Sequence, residues 1–236
     1  CISSGGIALY CRTVHCRKIF WKYYMEGKKS KKLIFAIVLL TVFYAVGIFG
    51  LLNSATAPLF QTLVPFNILL SVGALLWFHH PWNNKAVGSM LAIVIAGFFL
   101  EAVGVNTGII FGEYSYGSAL GWKISRTPVI IGVNWLMLVY ISHVTVRKIG
   151  IGRPWIELTA AALMTALDYL IEPVAVQYDF WYWQHAIIPL QNFVAWFYIS
   201  FAMQLFFNKM KPVEDNGVAI PLFILQIVFF TVLNIW

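Results

Sequence analysis

Long apolar runs alternate with short polar stretches along the chain after residue 32. Seven such runs can be drawn, over residues 33–52, 62–79, 87–105, 127–146, 154–172, 187–207 and 218–236. Each approaches the length of about 20 apolar residues with which a helix crosses a bilayer. Prolines stand near most of the proposed ends, as helix boundaries prefer. The pattern predicts an all-α fold, a polytopic membrane bundle of about seven transmembrane helices.

Composition supports the membrane location. Of the 236 residues, 61% are hydrophobic and 11% are charged, whereas a soluble domain has roughly 45–50% apolar and about 25% charged residues. We expect one transmembrane domain over residues 33–236, preceded by a basic segment over residues 1–32. Residues 1–24 differ in character from the rest, and we hypothesise that Met25 is the native start. N-terminal sequencing of the native protein would test this.

The net charge of +7 follows the topology of the chain. Eight of the sixteen lysines and arginines precede residue 33, and most of the others flank apolar runs. Because Lys and Arg accumulate in cytoplasmic loops, we predict a cytoplasmic N-terminus. Nucleic-acid binding needs a basic surface outside the bilayer, and none is evident, so we predict no nucleic-acid partner. The third loop, which carries Lys123 and Arg126, is an exception. Such an exception either weakens the topology or marks functional residues.

Acidic residues inside the apolar runs are the first candidates for chemistry. An aspartate at the membrane centre costs about 2.5–3.5 kcal/mol, so intramembrane acids usually face the bundle interior and serve function. Asp168 and Glu172 are four residues apart, which places them on one helical face, about 6 Å apart along the axis. Glu157 shares that face. A structural interpretation stays open, because acids at helix ends can reach interfacial water or pair with Arg126 or Arg153.

Two loops are rich in aromatic and polar residues, and the predicted topology puts both on the same side of the membrane. They cover residues 104–128 and 172–189. Both are apolar enough to dip into the bilayer, where their backbone must be covered by protein. The aromatic residues there can form an interfacial belt. Alternatively, they line a slot for a long apolar substrate and stabilise positive charge through their ring faces.

Several motifs of cofactor-dependent chemistry are missing from the sequence. The histidines form no HExxH or histidine-box pattern. Neither GxGxxG nor GxxxxGK[ST] occurs, and neither does GxSxG. The sequence therefore predicts no metal site and no organic cofactor, and favours acid–base chemistry.

Three blocks of sequence resemble a known family. They are "EAVGVNTGIIFGEYSYG", "TPVIIGVNWLMLVY" and "DYLIEPVAVQYDFWYW". In this order they resemble the small polytopic carotenoid biosynthesis protein family, over residues 90–207. That family includes carotenoid 1,2-hydratases that act on γ-carotene-type and bisanhydrobacterioruberin-type substrates. The resemblance implies a bacterial or archaeal cytoplasmic membrane, a lipophilic carotenoid substrate, and other carotenoid biosynthesis enzymes as candidate partners.

The resemblance also implies a reaction, which is the addition of water to the terminal C1–C2 double bond of an acyclic end group. Protonation of an unactivated alkene needs a neutral carboxylic acid, and burial keeps a carboxyl group neutral. A tertiary carbocation follows, which aromatic faces can stabilise while bulk water is excluded. A second carboxylate can orient and deprotonate the attacking water.

Candidate roles follow from this chemistry. Asp168 is the first choice for the proton donor and Glu101 its rival, while Glu172 or Glu113 would act on the water. The candidate substrate-binding residues either line the cation region or hold water and orient the acids: Tyr114, Tyr116, Trp181, Trp183, Asn106, Asn134 and Asn192. Arg126 is a further candidate there, or it instead neutralises one carboxylate.

Two other functions stay open at this point. Another membrane carotenoid enzyme, such as a lycopene cyclase, would use similar acid chemistry with an internal alkene in place of water. A non-enzymatic seven-helix transporter or lipid-binding protein is the second alternative. A retinal protein with its Schiff base in the last span is excluded, because residues 218–236 contain no lysine.

Overall fold

A computed structural model of the chain describes residues 14–152, 155–184, 186–213 and 215–236, with side chains from residue 30 onward. Arg153, which was considered above as a partner for the acids, and the first part of the N-terminal segment lie outside these ranges. The helices are α1 (Val14–Leu52), α2 (Ala57–Trp77), α3 (Asn84–Thr107), α4 (Ile130–Lys148), α5 (Trp155–Gln177), α6 (Leu190–Met210) and α7 (Ala219–Ile235).

The predicted membrane bundle is confirmed. Within the described ranges, α1 to α6 are long and apolar enough to cross a bilayer, and α7 is a shorter apolar helix of 17 residues. Among the residues that the structure describes, the strands form two short pairs, both of which lie in the loops. The chain is therefore an all-α integral membrane protein.

Several boundaries differ from the prediction, among them the start of α1 and the end of α5. The helix of the first span continues back to Val14, through the basic stretch. Lysine and glutamate are good helix formers, so charges there do not end a helix. Helix α5 continues through Pro173 to Gln177. A proline removes one helical hydrogen bond, but the next turn buries Val174 and Ala175 completely, and that packing holds the helix together.

Helix α4 is the centre of the bundle. In its most apolar stretch, 83% of the residues are buried, against 17% in α1 and in α2. It packs against α2, α3, α5, α6 and α7. Its contact with α3 depends on Gly132, because a Cβ atom there would lie 2.3 Å from the Val94 carbonyl oxygen. Small residues at helix contacts let backbones approach closely in membranes.

The two aromatic loops meet, as the topology required. Strand β1 (Tyr114–Tyr116) in the α3–α4 loop pairs antiparallel with β4 (Trp181–Trp183) in the α5–α6 loop. A hairpin of β2 (Lys123–Ile124) and β3 (Thr127–Pro128) completes the first loop. The Lys123 ammonium donates a 2.6 Å hydrogen bond to the Tyr116 carbonyl. This basic residue, an exception to the charge pattern, therefore supports the loop that carries β1.

Candidate functional site

Three carboxylates from two helices line one small chamber beneath the paired loops. Glu101 comes from α3, and Asp168 and Glu172 come from α5. All three are almost fully buried, with 4%, 0% and 1% of their surface exposed. The chamber has a volume of about 30 Å³, which is room for one or two water molecules. Its lining residues, all of them within the described ranges, include no lysine, arginine or histidine.

Glu101 is held by three neutral donors. The hydroxyl groups of Tyr114 and Tyr116 each donate a 2.6 Å hydrogen bond to Oε2. The indole nitrogen of Trp135 donates to Oε1 at 3.0 Å. Gly97, one turn before Glu101, makes room for that indole, because a Cβ atom at Gly97 would lie 2.7 Å from Trp135. Hydrogen bonds to the charged form stabilise a carboxylate.

Glu172 also accepts three hydrogen bonds. The indole nitrogens of Trp181 and Trp183 donate to Oε2 at 2.9 and 2.8 Å. The side-chain amide of Asn192, from α6, donates to Oε1 at 2.9 Å. Strand alternation explains why both tryptophans reach the same carboxylate, since residues two apart point to one face of a strand. Their role in this site therefore goes beyond an interfacial belt.

Asp168 has far less support than the two glutamates. Its Oδ2 accepts a 3.0 Å hydrogen bond from the same Asn192 amide that binds Glu172. Its Oδ1 is buried and has no hydrogen-bond partner among the described residues. A buried oxygen left in this state is costly for a charged carboxylate and less so for a neutral acid. The chamber thus holds two well-supported carboxylates and one carboxyl group with a free oxygen.

The tyrosines at this site are neutral donors. Burial first, and then the negative charge of Glu101, raise the pKa of Tyr114 and Tyr116 above the ordinary value of 10.0. Their hydroxyl groups therefore keep their protons and continue to donate to Glu101. The rings of the two residues pack edge to face, with centroids 5.4 Å apart.

A much larger apolar cavity adjoins the chamber. It has a volume of about 470 Å³ and lies between α1, α2, α4, α5 and α7, within the range of about 300–1,000 Å³ typical of small-molecule sites. Ile131, Asn134, Ile171 and Trp181 line both spaces and form the wall between them. Near α1 and α2 the lining includes side chains that are also exposed on the outer surface, such as Phe66. This cavity therefore opens towards the lipid.

Three of the predicted site residues lie elsewhere. Glu113, Asn106 and Arg126 are exposed and line a polar cavity of about 400 Å³ at the loop surface, which we call the vestibule. The amide of Asn106 donates to the backbone carbonyls of Ala102 and Ser125. No ion pair joins Arg126 to a chamber acid in the described structure. The other nine predicted site residues line the chamber: Glu101, Tyr114, Tyr116, Asn134, Asp168, Glu172, Trp181, Trp183 and Asn192.

Sequence reasoning missed several chamber residues. Trp135 binds Glu101, and its ring stacks on that of Trp196 with centroids 4.2 Å apart and 17° between the planes. Trp196 is four residues after Asn192, so helical spacing could have indicated it, whereas Trp135 directly follows Asn134 and adjacent residues do not share a helical face. Phe111 also lines the chamber, yet its loop position gave no such signal.

Comparisons with known proteins identify the family of the chain. A family model described as "Carotenoid biosynthesis protein" matches residues 63–236. The chain belongs to this family. The match extends beyond the motifs at residues 90–207 and takes in most of α2 and all of α7. No solved structure matches the chain.

One curated relative has a named activity. The bisanhydrobacterioruberin hydratase of Haloarcula japonica is 28% identical over 123 residues, which cover 48% of this chain and 42% of that protein. The chain thus matches less than half of that relative's length. Family membership therefore indicates carotenoid biosynthesis in general, and the reaction has to be argued from the site.

Proposed function

We propose that this protein is a carotenoid hydratase, a cofactor-independent hydro-lyase that adds water to the terminal C1–C2 double bond of an acyclic carotenoid end group. The observation that carries the proposal is the unequal hydrogen bonding of three buried carboxyl groups beside a lipid-facing apolar cavity. The name of the Haloarcula japonica relative supports the same reaction class.

Asp168 is the proton donor in this proposal. Three negative charges in one buried chamber whose lining includes no cation would repel each other strongly, so at least one carboxyl group must be neutral. Glu101 and Glu172 each accept three hydrogen bonds, whereas Asp168 accepts one. The proton therefore belongs on Asp168, with its O–H at the free Oδ1.

The first step is protonation of the alkene. The Oδ1–H of Asp168 gives its proton to C2, a new C–H bond replaces the π bond, and a tertiary carbocation forms at C1. Trp181 and Trp183 lie beside the chamber, and their ring faces can stabilise this cation. The carboxylates of Glu101 and Glu172 add electrostatic stabilisation that is already in position.

The second step is the addition of water. A water molecule attacks C1 and loses a proton to Glu172, which gives the tertiary alcohol. The proton then returns from Glu172 to Asp168. The Asn192 amide donates hydrogen bonds to both of these side chains. The net reaction is alkene plus water to alcohol, and both acids end in their starting states.

The apolar cavity is the substrate site. The polyene chain would lie in the cavity between α1, α2, α4, α5 and α7, with its reacting end at the wall formed by Ile131, Asn134, Ile171 and Trp181. Because the cavity opens towards lipid, a carotenoid can enter from the bilayer without crossing water. The chamber itself has room for water but not for an end group, so side chains of this wall have to move before the alkene reaches Asp168, which lines the chamber but not the apolar cavity.

Expression in a host that makes lycopene or γ-carotene, followed by mass analysis of the pigments, tests the function. A product heavier by one water supports the hydratase. An isomer of unchanged mass would indicate a cyclase instead, and unchanged pigment with every acyclic substrate would contradict both.

A further inference from the structure

The vestibule at the loop surface differs in character from the substrate cavity. Six of its lining residues are polar or charged: Asn106, Thr107, Glu113, Ser115, Arg126 and Gln184. Several of them are exposed, so the vestibule, with a volume of about 400 Å³, is open to solvent. In the substrate cavity, by contrast, the great majority of the lining side chains are apolar.

The vestibule and the carboxylate chamber share a boundary. Tyr114 and Trp183 line both spaces. These two residues face each other across the β1–β4 pair, and their rings are tilted by 41° with centroids 5.3 Å apart. The polar tip of each ring is fixed on the chamber side, Tyr114 by Glu101 and Trp183 by Glu172.

We propose that the vestibule supplies the water for the reaction, and that water enters the chamber when the rings of Tyr114 and Trp183, which are in contact at a centroid distance of 5.3 Å, move apart. The inference rests on the proposed hydratase function. The two reactants then arrive from different directions, with the alkene coming through the wall shared with the apolar cavity. The Tyr114 hydroxyl donates its proton to Glu101, but its oxygen can still accept a hydrogen bond from an entering water.

Separate access has a chemical reason. A flooded chamber would solvate and ionise Asp168, and an ionised Asp168 cannot protonate the alkene. Two rings held at their tips limit the entry of water and keep the acid neutral until the alkene arrives. The competing route is through the other half of the bundle, where Ser200 and His143 carry buried atoms without partners among the described side chains.

Thiol modification of the vestibule tests the route. The background variant replaces Cys1, Cys11 and Cys16 by serine, and Ser115→Cys then introduces one thiol in the vestibule. Ile109→Cys is the matched control, because Ile109 is 76% exposed in the same loop and does not line the vestibule. Full-length protein in membranes is labelled with methanethiosulfonate reagents of increasing size, and the labelling is verified by mass.

We expect the hydration rate of labelled Ser115→Cys protein to fall several-fold, and further with larger adducts. Retention of the carotenoid should not change, and the labelled Ile109→Cys protein should keep its rate. Fully labelled Ser115→Cys protein with an unchanged rate would overturn the route, as would a rate loss that merely follows loss of bound carotenoid. If the wild-type protein hydrates carotenoid but the unlabelled background variant does not, the three serine replacements are reversed one at a time until activity returns. If the wild-type protein is also inactive, the proposed function fails, and not the water route.

Discussion

Replacing Asp168 by asparagine removes the proposed proton donor and leaves the shape of the side chain unchanged. The amide oxygen can take the place of Oδ2, which accepts a 3.0 Å hydrogen bond from Asn192. The new NH₂ group then occupies the position of Oδ1, which has no partner among the described residues. The cost in folding stability should not exceed about 1–3 kcal/mol, the range for one buried polar group without a partner.

The effect on catalysis should be much larger. A positioned general acid contributes typically about 10²–10⁴-fold to rate, which corresponds to about 3–5.5 kcal/mol of activation free energy. An amide cannot supply that proton. We therefore expect hydration by Asp168→Asn to fall by at least about a hundredfold, measured as the initial rate of hydrated product by mass spectrometry in membranes with equal amounts of enzyme.

Glu157→Gln is the matched control, since Glu157 lies on the same helix, outside the chamber. It accepts a hydrogen bond from the Asn208 amide, and the carbonyl oxygen of glutamine can accept the same bond. This variant should retain wild-type activity. Near-normal hydration by Asp168→Asn would refute the assignment and transfer the donor role to another chamber acid. Loss of activity in both variants would show that the assay reports damage to the bundle.

Three further predictions concern the donors to Glu172, the apolar cavity and the paired loops. Trp183→Phe removes one of three donors to Glu172, each worth about 1.5–3 kcal/mol when the acceptor is charged, so turnover should fall roughly ten- to a hundredfold in the same assay. Val64→Trp should fill part of the apolar cavity and reduce carotenoid retention on purification, while Leu69→Trp, on the lipid-facing surface of the same helix, should not. Burial alone would raise the pKa of Asp179, but hydrogen bonds from Ser118 and Tyr182 outweigh it and hold the pKa below its usual 3.8. The stability that these bonds give to the folded protein is present above the pKa of Asp179 in the unfolded chain, and it is lost as the pH falls through the pKa of Asp179 in the folded protein. Protection of the amides in the paired loops, expressed relative to the intrinsic exchange rate at each pH, should therefore fall in wild type as the pH drops below the usual pKa of aspartate. An Asp179→Asn variant that loses protection over the same pH range would contradict this.

The sequence was sufficient for the membrane helices and for the shared face of two acids on α5. Apolar runs of membrane length dictate helices, because backbone polar groups in lipid must be satisfied within the helix. The four-residue spacing of Asp168 and Glu172 placed both acids on one face, and both indeed line the chamber. Such features depend on local periodicity, which one sequence contains in full.

Contacts between segments far apart in the sequence could not be predicted in the same way. Glu113 and Glu101 were both proposed as chamber acids, yet only Glu101 lines the chamber, because Glu113 points outward from the loop that carries β1. Its orientation depends on the pairing of β1 with β4, whose register no local pattern specifies. The contribution of α1 and α2 to the apolar cavity was missed as well, since their sequences are apolar all round and show no distinct inner face.

The donors around the chamber explain how a membrane enzyme can hold acids without a cation. A lysine or arginine would pair with a nearby carboxylate, fix its charge, and remove it from proton transfer. Tyrosine, tryptophan and asparagine instead give hydrogen bonds without adding a charge, so they can favour ionisation of Glu101 and Glu172 while leaving the net charge of the site negative. In the proposed mechanism, that residual negative charge disfavours a third anion and keeps the proton on Asp168. It would also stabilise the carbocation as it forms, so the charge that holds the proton before the reaction would favour the transition state in which the proton leaves.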